Sequence, residues 1–570
     1  MRKASRTGRL SSIVSGQRQD QLYVGLILLL VCVSYLPVLF YSQYAITDWF
    51  TTDDAFYYFK VAENIAAGQG VTFDGFARTN GFHPLWMILI TPWFVFSSIS
   101  KYLPLRLIVL LQMVLAAGSG FYFYKLCRGL CSKITALLAS SAWVLLPALQ
   151  VITSNGTEAG LNSFLLTFFW YRLVIFQEKI QQKTDQWQDY LILGLIGAGL
   201  VFARLDNIFL LMMVGLWLFF LPLLRKFKRI PDFTGKNQIR NLLVFFVPLG
   251  AFLLLYFLVN VICFDTMMPV SGQVKKWWGT LAQPAYGSPV KGLRNFLGEF
   301  FSPEKAVGPW WILTGLIISL SNSLPAYYHW GTRSIPIGLF IALGLFFLLG
   351  FLVSERKNFL RKVLWNSAFL PLLGGALSQI AYYKIFGYLA PRSWYWIIEY
   401  FLIFISGAVV LEMILITFRR APSPIGSILL LFTAGLVLTG LIGPQTARYS
   451  PENFMASEAA PYYQQKAAWL EHHTEPGTLV GMTGAGSTAY FIESRTIINL
   501  DGLINSKEYF QALKKGTAYH YFRRIGGDYI FANQYLLTER DPYQANFGKY
   551  LSEPMAEFNE NLVLWQVSKP

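Results

Sequence analysis

Two adjacent carboxylates, Asp53 and Asp54, stand just past the first apolar run, in the stretch Thr51-Thr52-Asp53-Asp54-Ala55-Phe56-Tyr57-Tyr58-Phe59-Lys60. Beside lipid a carboxylate is costly unless it is solvated or put to use. A helix starting here needs one acid, as an N-terminal cap or against the helix dipole. The second is surplus to that need. A positioned carboxylate can take the proton from a hydroxyl nucleophile, which is worth roughly 10²–10⁴-fold in rate. Other polar residues recur where apolar runs end: Asn80 and His83 in Arg78-Thr79-Asn80-Gly81-Phe82-His83-Pro84, Glu158 in Asn155-Gly156-Thr157-Glu158, and Arg204 in Arg204-Leu205-Asp206-Asn207. His83 suits an interfacial hydrogen bond as well as a base or a ligand. Arg204 and Asp206 can also neutralise each other at a tight turn. Lys275 closes the segment Asp265–Lys275, with Lys276 after it, and Lys384 and Arg392 come later. Lysine and arginine hold phosphate by point-charge or bidentate contact, and a lipid headgroup offers the same anion. The two acids are adjacent rather than spread as a ligand set, so the residues alone name no metal.

The elements that must position these groups are membrane helices. Of 570 residues 54% are apolar and 14% charged, against about a quarter charged in soluble proteins. The formal charge is +16, which invites a nucleic-acid reading until the charge is located. From Gln445 onward there are 11 basic and 13 acidic residues, so the excess lies wholly in the apolar part. There, short Lys/Arg loops orient spans in a bilayer, and no nucleic-acid partner is implied. Eleven runs are long enough to cross about 30 Å of hydrocarbon: Leu22–Tyr41 and residues near 104–124, 134–151, 159–176, 189–204, 207–224, 241–262, 335–354, 363–384, 396–416 and 424–443. Two shorter stretches, Pro84–Ile99 and Pro309–Leu324, would raise the count to thirteen. Eleven crossings put the basic segments Lys125–Lys133, Arg225–Arg229, Glu355–Lys362 and Arg419–Arg420 on the cytoplasmic face, as the positive-inside tendency requires. Residues 1–21 are then cytoplasmic, 22–443 form the membrane domain, and the long loops 42–83 and 263–334 lie outside. All the polar clusters above share that outer face.

Residues 444–570 read as a soluble extracytoplasmic α/β domain. The short apolar runs Thr478–Met482, Thr496–Leu500, Tyr529–Phe531 and Leu562–Val567 alternate with helical patterns. Gly481, Gly484 and Gly486 follow the first of these, but their spacing is not G-x-G-x-x-G and reads as a tight turn. The residues after Asp53 have Phe56, Phe59, Ala62, Ile65 and Ala66 on one helical face and Tyr57, Lys60 and Asn64 on another. That predicts an amphipathic helix at the membrane surface.

Several of these segments resemble the GT-C superfamily of integral-membrane glycosyltransferases, with the nearest likeness to the mycobacterial terminal arabinofuranosyltransferase group. The most specific part is Thr52-Asp53-Asp54-Ala55-Phe56 followed by Ala62-Glu63-Asn64-Ile65-Ala66-Ala67-Gly68-Gln69-Gly70. Thr79–Trp86 is similar to that family's return to the membrane, Asn155–Glu158 to a polar turn, and Asp265–Lys275 to its second long loop. Pro269-Val270-Ser271-Gly272 and the Ala203-Arg204-Leu205-Asp206 turn depart from the family pattern. The resemblance implies a mainly helical polytopic protein of the plasma (inner) membrane. It also implies an enzyme: an inverting glycosyltransferase of the cell envelope that moves a sugar from a polyprenyl-phosphate carrier to a hydroxyl on a glycan, lipid or protein acceptor. Asp53 would be the base with Asp54 orienting it, or the reverse. Lys275, Arg392 and Arg204 would face the leaving phosphate, with Lys384 near, while His83, Asn80 and Glu158 would shape the pocket. The resemblance leaves a divalent cation open. The rival reading from another class is a transporter or flippase for a polyprenyl-linked substrate, which should show repeated halves and charges at mid-membrane. Here the polar clusters keep to the span ends.

Overall fold

The computed structural model describes residues 4–40, 43–50, 52–226, 235–287, 292–301, 308–313, 363–365, 367–420, 462–559 and 561–567. Among the described residues a helical body carries one small sheet at its C-terminal end. The first helices are α1 (Ala4–Phe40), α2 (Gln43–Trp49), α3 (Asp53–Ala66), α4 (Pro84–Ile90) and α5 (Leu103–Leu130). There follow α6 (Lys133–Leu145), α7 (Pro147–Thr153), α8 (Ala159–Gln182), α9 (Trp187–Ala203), α10 (Ile208–Lys226), α11 (Gly235–Phe264), α12 (Val270–Trp278) and α13 (Leu293–Phe301). After residues outside the described set come α14 (Phe369–Ile385) and α15 (Ile397–Arg420). Helix α5 packs on α1, α6 and α8, α9 packs on α8 and α11, and α10 packs on α14.

Among the described residues four helices are long and apolar enough to cross a membrane: Gln17–Phe40, Leu103–Leu130, Ala159–Ile180 and Ile239–Phe264. The expected single run 134–151 is instead two helices, α6 and α7, bent by 54°. Pro147 at the start of α7 has no amide to continue the ladder of α6. Pro84–Ser98 is one of the shorter apolar helices. The expected spans at 335–354 and 424–443 lie outside the described residues, as does most of Pro309–Leu324.

Helix α3 starts where a capping residue stops the extended chain. Thr52 is in the β region and its hydroxyl accepts from the Asp54 amide at 3.3 Å. The cap is therefore the threonine, which leaves both Asp53 and Asp54 in the first turn and free of that duty. The helix ends at Ala67, with Gly68 in the left-handed region. Its expected amphipathic setting is corrected: Tyr57, Tyr58 and Asn64 are buried as well as Phe56, Phe59 and Ala62. The face read as polar is not bare to water or headgroups, because the C-terminal domain covers it.

That domain is described from α16 (Tyr462–His473) onward. Its strands are β1 (Leu479–Met482), β2 (Thr496–Asn499), β3 (Tyr529–Asn533), β4 (Ala556–Asn559) and β5 (Leu562–Gln566), in the order β2-β1-β3-β5-β4. β1 runs parallel to β2 and β3, whereas β5 is antiparallel to β3 and β4. Strand β4 escapes the apolar-run reading because it is an edge strand of Ala-Glu-Phe-Asn, its alternate residues exposed. Helix α17 (Gly486–Phe491) follows β1 and packs on α3.

Candidate active site

A cavity of about 490 Å³ lies where α3, the Glu158 turn, the Arg204 turn, α12 and α14 meet. Asp54, His83, Glu158, Arg204, Asp206, Lys275 and Lys276 are among its walls, with Tyr383, Tyr388 and Tyr395 opposite. Leu503 and Ile504 of the C-terminal domain complete it. Residues more than 300 positions apart in sequence thus share one space.

The two acids of the pair face different ways. Asp54 lines the cavity and is half-buried. Among the described residues its carboxylate accepts no hydrogen bond. Burial raises its pKa above the usual carboxylate range, against the pull of Lys275 and Arg392, and Asp53 and Glu158 add to the rise. Asp53 instead turns toward α17: Oδ2 accepts from the Gly486 amide at 2.8 Å, and Oδ1 accepts from the Ser487 amide at 2.8 Å and its hydroxyl at 2.6 Å.

A fixed charge network forms the opposite wall. The guanidinium of Arg204, 2% exposed, donates to Glu158 Oε1 at 2.6 Å and to both oxygens of Asp206 at 2.9 Å. It lies 4.0 Å from the centre of the Tyr395 ring. Asp206 also accepts from Tyr383 at 2.6 Å and Gln379 at 3.0 Å, and Glu158 accepts from Tyr58 at 2.9 Å. One cation with two carboxylates leaves Arg204 fully occupied. His83 Nε2 is 3.7 Å from Glu158, and burial lowers the His83 pKa, so its imidazole is neutral near pH 7.

Lys275 differs from Arg204. It is buried, and its ammonium donates to the Tyr395 hydroxyl at 2.7 Å and has no carboxylate within salt-bridge distance among the described residues. Arg392 is exposed and outside the cavity wall, though its charge reaches Asp54. Lys384 is buried in the last turn of α14 and does not line the cavity. Asn80 acts as a clamp between the two long loops: its amide donates to Asn260 at 2.9 Å and its oxygen accepts from the Val270 amide at 3.0 Å.

Among the described residues no group of three or more His, Cys, Asp or Glu side chains is arranged to hold a metal ion. With Asp53 engaged by α17, the acidic pair presents one unbonded carboxylate, Asp54, to the cavity, and the divalent cation that the resemblance leaves open stays open.

Sequence reasoning missed Asp501, which is 2% exposed. It accepts from Tyr57, Tyr286 and Tyr543 at 3.1, 2.7 and 3.1 Å, and from the Gly484 amide at 2.8 Å. The available signal was its place, an acid just beyond the carboxyl end of a parallel strand, where α/β folds gather polar groups. Gln379, Tyr383 and Tyr395 sit within or beside an apolar run, which hides their polar ends from a sequence reading.

The glycine turn after β1 is a docking surface. A Cβ on Gly486 would lie 2.4 Å from the Asp53 carbonyl oxygen and 3.1 Å from the Tyr57 amide nitrogen. Gly486→Ala must therefore push α17 off α3. It is expected to lower stability by about 1–3 kcal/mol, read as earlier thermal unfolding of the purified protein. Gly129→Ala, with nothing within 4 Å of its Cβ, is the neutral control.

Residues 452–564 match the model of a domain of unknown function, DUF8728. No curated protein matches the chain. Among solved structures, the apo oligosaccharyltransferase of Archaeoglobus fulgidus aligns at 13% identity and TM-score 0.50, over 93% of this chain and 72% of that one. The same enzyme tethered to an acceptor peptide with the NVT sequon aligns at 12% identity and TM-score 0.50, over 96% and 74%. ArnT from Cupriavidus metallidurans aligns more loosely, at 11% identity and TM-score 0.39, over 96% and 98%. At these identities the likeness is one of fold: the chain has the fold of the archaeal oligosaccharyltransferase.

Proposed function

We propose that this chain is an inverting glycosyltransferase that moves a sugar from a polyprenyl-phosphate carrier to a hydroxyl acceptor on the non-cytoplasmic face of the plasma membrane. The observation that carries the reading is the pairing inside one cavity of Asp54, a carboxylate accepting no hydrogen bond among the described residues, with Lys275, an ammonium without a carboxylate partner there. Asp54 is the general base. It takes the acceptor proton as the oxygen attacks the anomeric carbon, and the carbon–phosphate oxygen bond breaks on the far side. Lys275, steadied by Tyr395 and neighboured by Lys276, meets the charge that develops on the departing phosphate. Arg392 adds a further positive charge outside the wall. Arg204 is the strut of the site: releasing it to a phosphate would strip two buried carboxylates of their partner. A mainly helical body with apolar spans and the GT-C fold supports the reading. In it the eleven-span topology places the cavity and the C-terminal domain outside the cytoplasm.

Lys275→Gln is expected to lower kcat/KM by about 10²–10³-fold, while Lys275→Arg retains part of the activity. The assay follows release of polyprenyl phosphate from a panel of polyprenyl-phosphate sugars by purified full-length protein. Wild-type turnover in Lys275→Gln would remove the phosphate assignment. A cysteine placed at position 275 that reagents reach only from the cytoplasm would overturn the topology.

A further inference from the structure

Asp53 and Asp501 are two carboxylates that the proposed reaction leaves unused. Together with Tyr57 they hold one four-residue turn, each taking a different part of it. The consecutive amides of residues 484–487 donate, in order, to Asp501 Oδ2 at 2.8 Å, the Tyr57 hydroxyl at 3.3 Å, Asp53 Oδ2 at 2.8 Å and Asp53 Oδ1 at 2.8 Å. Tyr57 in turn donates to Asp501 at 3.1 Å. Asp53 and Tyr57 lie one turn apart on α3, so they hold the first turn of that helix at both ends. Asp54 projects from the same turn into the cavity. From the second long loop, Tyr286 donates to Asp501 at 2.7 Å, which ties that loop to the junction.

We infer that Asp53 and Asp501 are positioning residues: they clamp the first turn of α3 to the C-terminal domain through the amides of residues 484–487, and so fix the direction in which Asp54 meets its substrate. This rests on the proposed role of Asp54 and adds a role for the C-terminal domain. A base works only within a narrow range of place and angle, about 0.5 Å and 10–20°. Because α3 begins only at Thr52, its own cap alone does not fix its rotation about the helix axis.

The test uses the purified full-length protein, with Asp53→Asn, Ser487→Ala, Asp501→Asn and the double variant Asp53→Asn/Ser487→Ala beside Asp54→Asn. Ser487 is the cleanest position, since Ser487→Ala removes the bond that its hydroxyl donates to Asp53 at 2.6 Å beside the amide bond, and leaves every charge around Asp54 in place. Those charges are Lys275 and Arg392, which favour the carboxylate, and Asp53 and Glu158, which oppose it. Hydrogen exchange is read at the amides of residues 53–66, and release of polyprenyl phosphate is read as kcat, donor KM and pH profile. Ser487→Ala and Asp53→Asn are expected to speed exchange over residues 53–66 by about tenfold while β1 and β2 stay protected. Each should lower kcat by about 10–100-fold with donor KM little changed, and the double variant should lose less than the product of the two singles. In Ser487→Ala the acidic limb of the rate profile should move toward the ordinary carboxylate range, as a loosened Asp54 gains water. Unchanged exchange in both single variants would overturn the clamp. So would Asp53→Asn losing as much turnover as Asp54→Asn with exchange at the wild-type rate, which would make Asp53 the base. A wild-type protein that releases phosphate from no donor would defeat the proposed function, and the exchange data would still judge the clamp.

Discussion

Asp54→Asn is expected to lower turnover by about 10²–10⁴-fold and to leave the protein at least as stable as the wild type. The two halves of this result have one cause. Burial raises the pKa of Asp54, so the fold favours its neutral form, and the proposed reaction needs the carboxylate held in place against that preference. Folding therefore binds protons more tightly at this position than the unfolded chain does. Its contribution to stability falls as pH climbs from the unfolded value through the folded one. Asparagine removes that opposition together with the base. Rate follows the opposite sign. It requires the carboxylate, so it is lost as pH falls through the raised pKa, and the acidic limb should lie above the ordinary carboxylate value. Kinetics across pH and thermal unfolding, run on one preparation, check both signs. An Asp54→Asn protein that turns over at the wild-type rate would leave the site without its base. One that is inactive but markedly less stable would mean that the loss reflects folding.

The class of fold was legible because it rests on runs of apolar residues, and a span of about twenty of them has few other uses. The first loop was legible for a related reason: two acids next to lipid are costly, so their presence demands a purpose. Which acid faces the cavity was not legible. Asp53 and Asp54 are adjacent, and neighbours on a helix face directions about 100° apart. Which of them docks and which faces the cavity therefore depends on where a domain more than 400 residues away comes to rest, as the bonds that the Gly486 and Ser487 amides donate to Asp53 show. The same holds for the setting of α3. Its periodicity correctly marked Phe56, Phe59 and Ala62 as one buried face, but the burial of Tyr57, Tyr58 and Asn64 is a tertiary fact. The cations show a further limit. Lys275 and Arg204 both read as phosphate ligands in sequence; the tight turn already offers Asp206 to Arg204, but Glu158 comes from a separate turn, and only the assembled wall shows Arg204 fully occupied.

Arg204→Ala is expected to be the most destabilising single change in the site, by about 3–5 kcal/mol. Arg204 is the one cation among three buried charges. Its removal leaves Glu158 and Asp206, 2% and 9% exposed, as two carboxylates beside one cavity. Tyr58, Tyr383 and Gln379 still donate to them, which tempers the loss but supplies no positive charge. Their repulsion would then act on α3 through Tyr58 and on α14 through Gln379 and Tyr383, so that the damage spreads to the elements that shape the cavity. Arg204→Lys keeps the charge but cannot reach Glu158 and both oxygens of Asp206 at once, and should cost less, about 1.5–3 kcal/mol. The triple variant Glu158→Gln/Arg204→Met/Asp206→Asn separates charge from packing. It removes all three charges at near-constant volume, so it should recover much of the stability that Arg204→Ala loses, because a buried ion network returns little beyond its own desolvation. Thermal unfolding of the three proteins decides the matter. If Arg204→Ala unfolds with the wild type, Arg204 is free to serve a phosphate and the division of labour between Arg204 and Lys275 fails. If the triple variant is as unstable as Arg204→Ala, the guanidinium contributes through its packing on Tyr395, 4.0 Å from the ring centre, more than through its charge.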